Sequence, residues 1–174
     1  RLPQSPANAL AAVRVDTIQA TEFPFEIDET AAFEATRTRQ WERAAEVLLA
    51  AITPCLPFLD LPRNNGLEPA IEAGFYLMRA AAAATRASNG VVTPAALALY
   101  ERALAVFTQA ARADGSPLQE EARLRASLCH TACGRLEEAQ RLFDAARLPD
   151  PGDGDYGLWQ LARASLLFAR NQFL

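Results

Sequence analysis

Cys129, His130 and Cys133 are the residues of this chain whose types and spacing most invite chemistry. Thiolates and imidazoles bind zinc, and two cysteines four apart share one face of a helix. A structural zinc site needs four ligands in a tetrahedral array. The chain has no other histidine and one further cysteine, Cys55. The trio therefore reads as small buried groups beside a helix end, and no metal ligand set is assigned. Asp150, Asp153 and Asp155 suggest calcium, yet the EF-hand order of ligands, its central glycine and its closing glutamate are missing, which leaves a solvated loop. Gly152, Gly154 and Gly157 have the spacing of a dinucleotide loop but follow no strand, so that reading fails on context. His130 has no serine or cysteine nucleophile arranged around it. The sequence gives no catalytic residue, no cofactor and no enzyme class.

The bulk composition sets the remaining bounds. A chain of 174 residues suits one domain or a short run of repeats. A net charge of −4 argues against a nucleic-acid surface, which is usually basic. Three cysteines are no disulfide framework and point to a reducing, cytoplasmic compartment. The most apolar stretch, around Phe75 to Ala84, contains Arg79 and is too short for a membrane span. No secretory signal is visible. All 17 basic residues are arginine. Codon usage in a GC-rich genome accounts for that, and so does selection against lysine modification or for bidentate arginine pairing.

The elements that position these residues are helices. Residues 1–27 form an arm of ambiguous pattern: Ser5-Pro6 could cap a helix, while Val13-x-Val15-x-Thr17 alternates like a strand. Phe23-Pro24-Phe25 is expected to be extended. Asp28 caps a helix over about 29–38, and Trp41, Ala44, Val47, Leu48 and Ala51 place a second over about 40–52 on one apolar face. Thr53-Pro54 ends it, and 55–68 connects. Pro69 takes a first helical position in a long helix that Asn89-Gly90 closes. Thr93-Pro94 starts the next, ending at Asp114-Gly115, and Ser116-Pro117 repeats the start signal for a helix to Ala132. Gly134 breaks the chain, a helix follows over about 135–147, and a last one over about 155–170. The hairpins are thus about 28–54, 69–114 and 117–148, with a partial unit over 155–174.

One phrase recurs in these hairpins: Trp41-Glu42-Arg43-Ala44, Tyr100-Glu101-Arg102-Ala103 and Leu136-Glu137-Glu138-Ala139, each followed by an apolar pair and another alanine. Ala44 and Ala103 lie much further apart than Ala103 and Ala139, so the middle hairpin is enlarged. Asn171-Gln172-Phe173 echoes Arg39-Gln40-Trp41, as if a further copy began and the chain were part of a longer array. Internal repetition of this kind marks stacked architectures. Ser127, Gly134, Leu136, Ala139, Phe143, Ala146 and Pro151 carry a specific resemblance: the chain resembles the tetratricopeptide repeat, a helix-turn-helix unit of about 34 residues. The departures are Arg123, where a large apolar residue is usual, and His130, where an aromatic is usual.

The resemblance implies an all-α fold, antiparallel hairpins stacked as a right-handed solenoid over residues 28–174. Ala44, Ala103 and Ala139 become the expected crossing points, because helices approach to about 8–10 Å only over small residues. It also implies a partner groove along the first helices, here Glu29, Phe33 and Arg37, then Leu124, Leu128 and Ala132, then Leu161. Chaperone-binding members clamp a peptide carboxylate there with lysine and asparagine. This chain has leucine instead and no lysine. An apolar groove suits an amphipathic partner helix, although neighbouring repeats could equally cover those leucines. The expected function is a protein-interaction scaffold or assembly subunit, with self-association through the last unit as a further expectation. The alternative is a regulatory segment of a larger signalling or transcription-control protein.

Overall fold

The structure, a computed structural model, describes residues 23–61 and 63–171. The helix and strand readings of the arm before Phe23, and Gln172-Phe173, lie outside the described residues. Among those described there are seven α-helices and no strand: α1 (Glu29–Arg37), α2 (Trp41–Ala51), α3 (Leu67–Ala87), α4 (Pro94–Ala110), α5 (Gln119–Ala132), α6 (Leu136–Ala145) and α7 (Tyr156–Ala169). A short 3₁₀ turn spans Leu56–Phe58. Each helix packs on its successor in sequence, and the first helices of adjacent hairpins also meet, α3 on α5 and α5 on α7.

Local chemistry explains most boundaries. Asp28 Oδ1 accepts from Ala31 N at 2.9 Å and Thr93 Oγ1 from Ala96 N at 3.2 Å, satisfying donors that a helix start leaves without partners. The first helices of all the hairpins end alike, on a residue in the left-handed region: Arg39 (φ 57°), Asn89 (54°), Gly134 (75°) and Asn171 (52°). After Gly134 the chain closes by Arg135 N to His130 O at 2.9 Å and Gly134 N to Thr131 O at 3.0 Å. Gln40 N to Ala35 O and Arg39 N to Thr36 O repeat this pair of bonds around an arginine.

Two helix starts depart from the sequence reading. α3 begins at Leu67, so Pro69 is its third residue and not its first. Burial of Leu67 in the core extends the helix backward, and a proline within the first turn costs no intrahelical bond. α5 begins at Gln119 and not at Pro117. Ser116 and Pro117 belong to the preceding turn, which Gln119 fastens through its side-chain amide to Ala111 O (3.1 Å) and Asp114 Oδ1 (2.7 Å).

The core lies mainly between α2, α3, α4 and α5. Phe107 of α4 is fully buried against Gly74 of α3, where an added Cβ would come within 2.7 Å of the ring. That glycine is what lets the two longest helices approach. Ala44, Ala103 and Ala139 have no exposed surface. Ser127 is equally buried and donates its hydroxyl to Ala139 O at 2.8 Å, so α6 lies directly over α5 at this point.

The connection from 55 to 66 is compact. Asn64, itself buried, donates to Cys55 O (3.2 Å) and Phe58 O (2.8 Å) and accepts from Gly66 N (2.8 Å). Asn65 pairs with the backbone N and O of Phe23, and the Phe23 ring stacks on Phe58 at 5.3 Å. The extended segment that starts at Phe23 is thereby fixed against the core, with Phe23, Phe25 and Ile27 turned inward.

Candidate functional site

The sequence motifs that invited metal chemistry do not converge. Cys129 is fully buried and its thiol is pushed up by burial and then by Cys133; the Cys133 thiol is pushed up by burial. All three cysteines are free thiols. His130 is held below its ordinary pKa by burial and then by Arg135, and its Nδ1 is buried without a hydrogen-bond partner. Among the described residues no group of three or more His, Cys, Asp or Glu side chains is placed to hold a metal ion. Asp153 closes its own loop through Asp150 N at 3.1 Å, and Asp155 precedes the first turn of α7.

What does converge is an apolar cleft of about 590 Å³ where α3, α5 and α7 run side by side. Met78 of α3, Leu128 and Ala132 of α5, and Leu161, Ser165 and Phe168 of α7 form its walls, with Tyr100 of α4 at its base. Leu161 is 55% exposed and Phe168 69%. Ordinary surface apolar residues are scattered singly; contiguous ones mark interaction sites. Tyr100 is buried, and its phenol is pushed up chiefly by that burial.

The residues assigned to a groove from sequence divide three ways. Leu128 and Leu161 line the cleft, with Ala132. Leu124 does not: it has no exposed surface, because α5 sits centrally with α3, α4, α6 and α7 all packed around it. Glu29, Phe33 and Arg37 on α1 are exposed but stand apart from the cleft. Arg37 pairs within its own helix with Glu34 at 2.7 Å. Ala146 also differs from its expected packing role. It is half-buried and extended, past the end of α6, because the chain turns off to give Arg147 N to Glu120 Oε2 at 2.8 Å. Phe143 is half-buried and meets Trp159 at 5.2 Å.

Met78, Ser165 and Phe168 were missed by the sequence reading. Leu161 and Phe168 lie seven apart, the two-turn spacing that puts them on one side of α7.

Beside the cleft, other side chains of α3 and α5 meet arginines and aromatic rings. Arg79 lies 4.2 Å over the Trp41 ring, and Arg125 lies 4.6 Å over Phe75 while also gripping Glu121 at 2.6 Å. Trp41 stacks on Tyr76, whose phenol is pushed up to about 12 by burial and then by its hydrogen bond to Glu72. The arginines here are occupied by aromatic faces and carboxylates within the molecule.

The acid of the repeated phrase has a constant use that sequence did not show. Glu42 binds Arg102 at 2.6 Å, Glu101 binds Arg135, and Glu137 binds Arg170 at 3.4 Å. Each acid takes its arginine from the next unit along the chain. The Glu101 bond also holds the Arg135 guanidinium above its ordinary pKa.

Residues 95–166, from the first turn of α4 into α7, match the tetratricopeptide repeat family. Over this part the chain is similar to that family. Tetratricopeptide repeats are helical hairpin modules that serve protein–protein interaction, and the family is typically non-catalytic. The matched segment contains α5 and α6 whole and every cleft residue except Met78 and those beyond Leu166. Comparison of the chain with curated proteins and with solved structures finds no match. Among the described residues, no helix is long and apolar enough to cross a membrane.

Proposed function

We propose that the chain is a protein-binding scaffold or assembly subunit that receives an apolar segment of a partner, foremost one side of an amphipathic helix, in the cleft between α3, α5 and α7. The observation that carries this reading is the cleft itself: leucine, methionine and phenylalanine side chains from three successive first helices around one concavity, with Leu161 and Phe168 open to solvent. An amphipathic helix engages such a groove through apolar residues at one-turn spacing. The absence of lysine and the leucine lining fit this partner better than a peptide carboxylate. The free thiols fit a reducing compartment.

The test is recovery of partners from the source cell with the tagged chain and with two variants, Phe168→Asp and Ser165→Arg. Both sites lie at the cleft, and neither is in the core. A partner retained by the parent chain and lost by both variants, with unchanged thermal midpoints, supports the cleft. Identical recovery by all three removes it.

A further inference from the structure

Among the left-handed stops of the first helices, one is a poor fit for its place. Asn89, Gly134 and Asn171 are of types that adopt positive φ readily; Arg39, at φ 57°, is not. A side chain kept at a strained backbone position points to a use for that side chain. Arg39 and Arg43, four residues apart, line a pocket of about 400 Å³ at the start of α2. Gln40 and Trp41 stand between them in the sequence and share the lining, and Ala80 and Ala83 of α3 supply its small apolar part. Arg79, next to Ala80, is occupied by the Trp41 ring at 4.2 Å.

Arg39 and Arg43 differ from their neighbours in having no counter-charge. The place of Arg43 in the repeated phrase is taken by Arg102 in α4 and Glu138 in α6, and both are paired, Arg102 with Glu42 at 2.6 Å and Glu138 with Arg141 at 3.6 Å. Among the described residues, the side chains of Arg39 and Arg43 make no ion pair and no hydrogen bond, and both are exposed. The acids of the same pocket, Glu42 and Glu46, lie 2.6 and 4.0 Å from Arg102. The link between units therefore takes the negative charge of the pocket and leaves two guanidinium groups open.

We infer that this pocket receives glutamate or aspartate side chains from an acidic segment of a partner polypeptide, with carboxylates on Arg39 and Arg43 and methylene groups against Ala80 and Ala83. A guanidinium presents paired donors that match a carboxylate, and its planar fork loses little freedom on binding. The occupant follows from charge complementarity. Two open cations stand in one pocket of a chain whose net charge is −4, so the attraction is local. An extended polyanion such as a nucleic acid needs a broad basic surface instead. The pocket shares no residue with the cleft and is built on a second helix, so the inference stands apart from the cleft reading.

The probe is a fluorescein-labelled, end-capped hexaglutamate peptide, titrated into the intact chain in low salt and followed by anisotropy, with hexaglutamine as the neutral comparison. Saturable binding of hexaglutamate alone is expected. Arg39→Gly and Arg43→Gln should each weaken it about fivefold. The first of these relieves the left-handed position, so its thermal midpoint should hold or rise while affinity falls, an outcome that a merely structural role of Arg39 does not give. Arg112→Gln, which removes another exposed arginine away from this pocket, should leave binding unchanged. The proposal is overturned if hexaglutamate shows no saturable binding up to about 1 mM. It is overturned equally if hexaglutamine binds as well, or if Arg112→Gln weakens binding as much as Arg39→Gly. Ser165→Arg, which tests the cleft, should leave hexaglutamate binding untouched.

Discussion

α4 and α6 carry the same phrase and come to different ends. In α4 the phrase residues Tyr100, Ala103, Val106, Phe107 and Ala110 are all buried. In α6 only Ala139 is buried; Leu136 and Phe143 are half-exposed, and Ala146 has left the helix. α4 lies between α3 and α5 over much of its length, whereas α6 has α5 on one side and a lighter contact with α7 on the other. A repeat motif therefore specifies a face, and the neighbours decide how much of that face leaves water. Stability in such a stack resides in the interfaces between units as much as in the units.

The sharpest way to break the comparison is truncation at matched positions. Phe107→Ala should cost about 3–5 kcal/mol in equilibrium urea unfolding, since a fully buried aromatic leaves a cavity against Gly74. Phe143→Ala should cost no more than about half of that, most of it the contact with Trp159. Equal losses would mean that the two second helices are equivalent after all. Overpacking is the next probe. Ala139→Leu should cost roughly 1–3 kcal/mol, with Ala103→Leu at or above the top of that range because α4 has less room to yield. A thermal melt of Ala139→Leu that matches the parent would remove Ala139 as a crossing point.

A smaller effect separates the hairpin turns. Gly134→Ala should lose about 1 kcal/mol for conformational reasons alone, as an added Cβ meets nothing within 4 Å. Arg39→Gly should gain up to about 1 kcal/mol at the equivalent turn. Opposite signs from the two substitutions in denaturant titrations are the expected result. The smallest effect is on pH dependence. His130 in the folded chain is held below its ordinary value of 6.5, so the unfolded chain binds the proton more readily. The fold keeps this contribution above that value and loses it as pH falls through 6.5 toward the lowered folded pKa. His130→Gln should flatten that part of the stability profile measured between pH 7 and 5.

The helices were legible because their punctuation is chemical: Asp28 and Thr93 as caps, Asn89-Gly90 and Gly134 as left-handed stops. Arg39 was not legible as a stop, because nothing in an arginine favours positive φ; only its register with Gly134 reveals it. The start at Pro69 was displaced by the burial of Leu67, and that at Ser116-Pro117 by the bonds of the Gln119 amide to Ala111 and Asp114, neither of which is a helix-start signal. Leu124 and Leu161 are the clearest lesson for the site. Each lies ten residues before a left-handed stop, Gly134 or Asn171, yet among the described residues one is sealed by the helices packed around α5 and the other is open. The cleft draws on α3, α4, α5 and α7, so Met78 and Tyr100 entered it only through the fold.

The pairs Glu42–Arg102, Glu101–Arg135 and Glu137–Arg170 give the stack a seam. The first two join exposed side chains and the third an exposed Glu137 to a partly buried Arg170; each is worth at most about 1 kcal/mol, and dissolved salt weakens them. The apolar contacts between the same units do not weaken in this way. Successive units are thus tied by charge at these pairs and by burial elsewhere, and ionic strength acts on the charged ties. Raising it weakens the ties between units and leaves the buried contacts that hold each unit together.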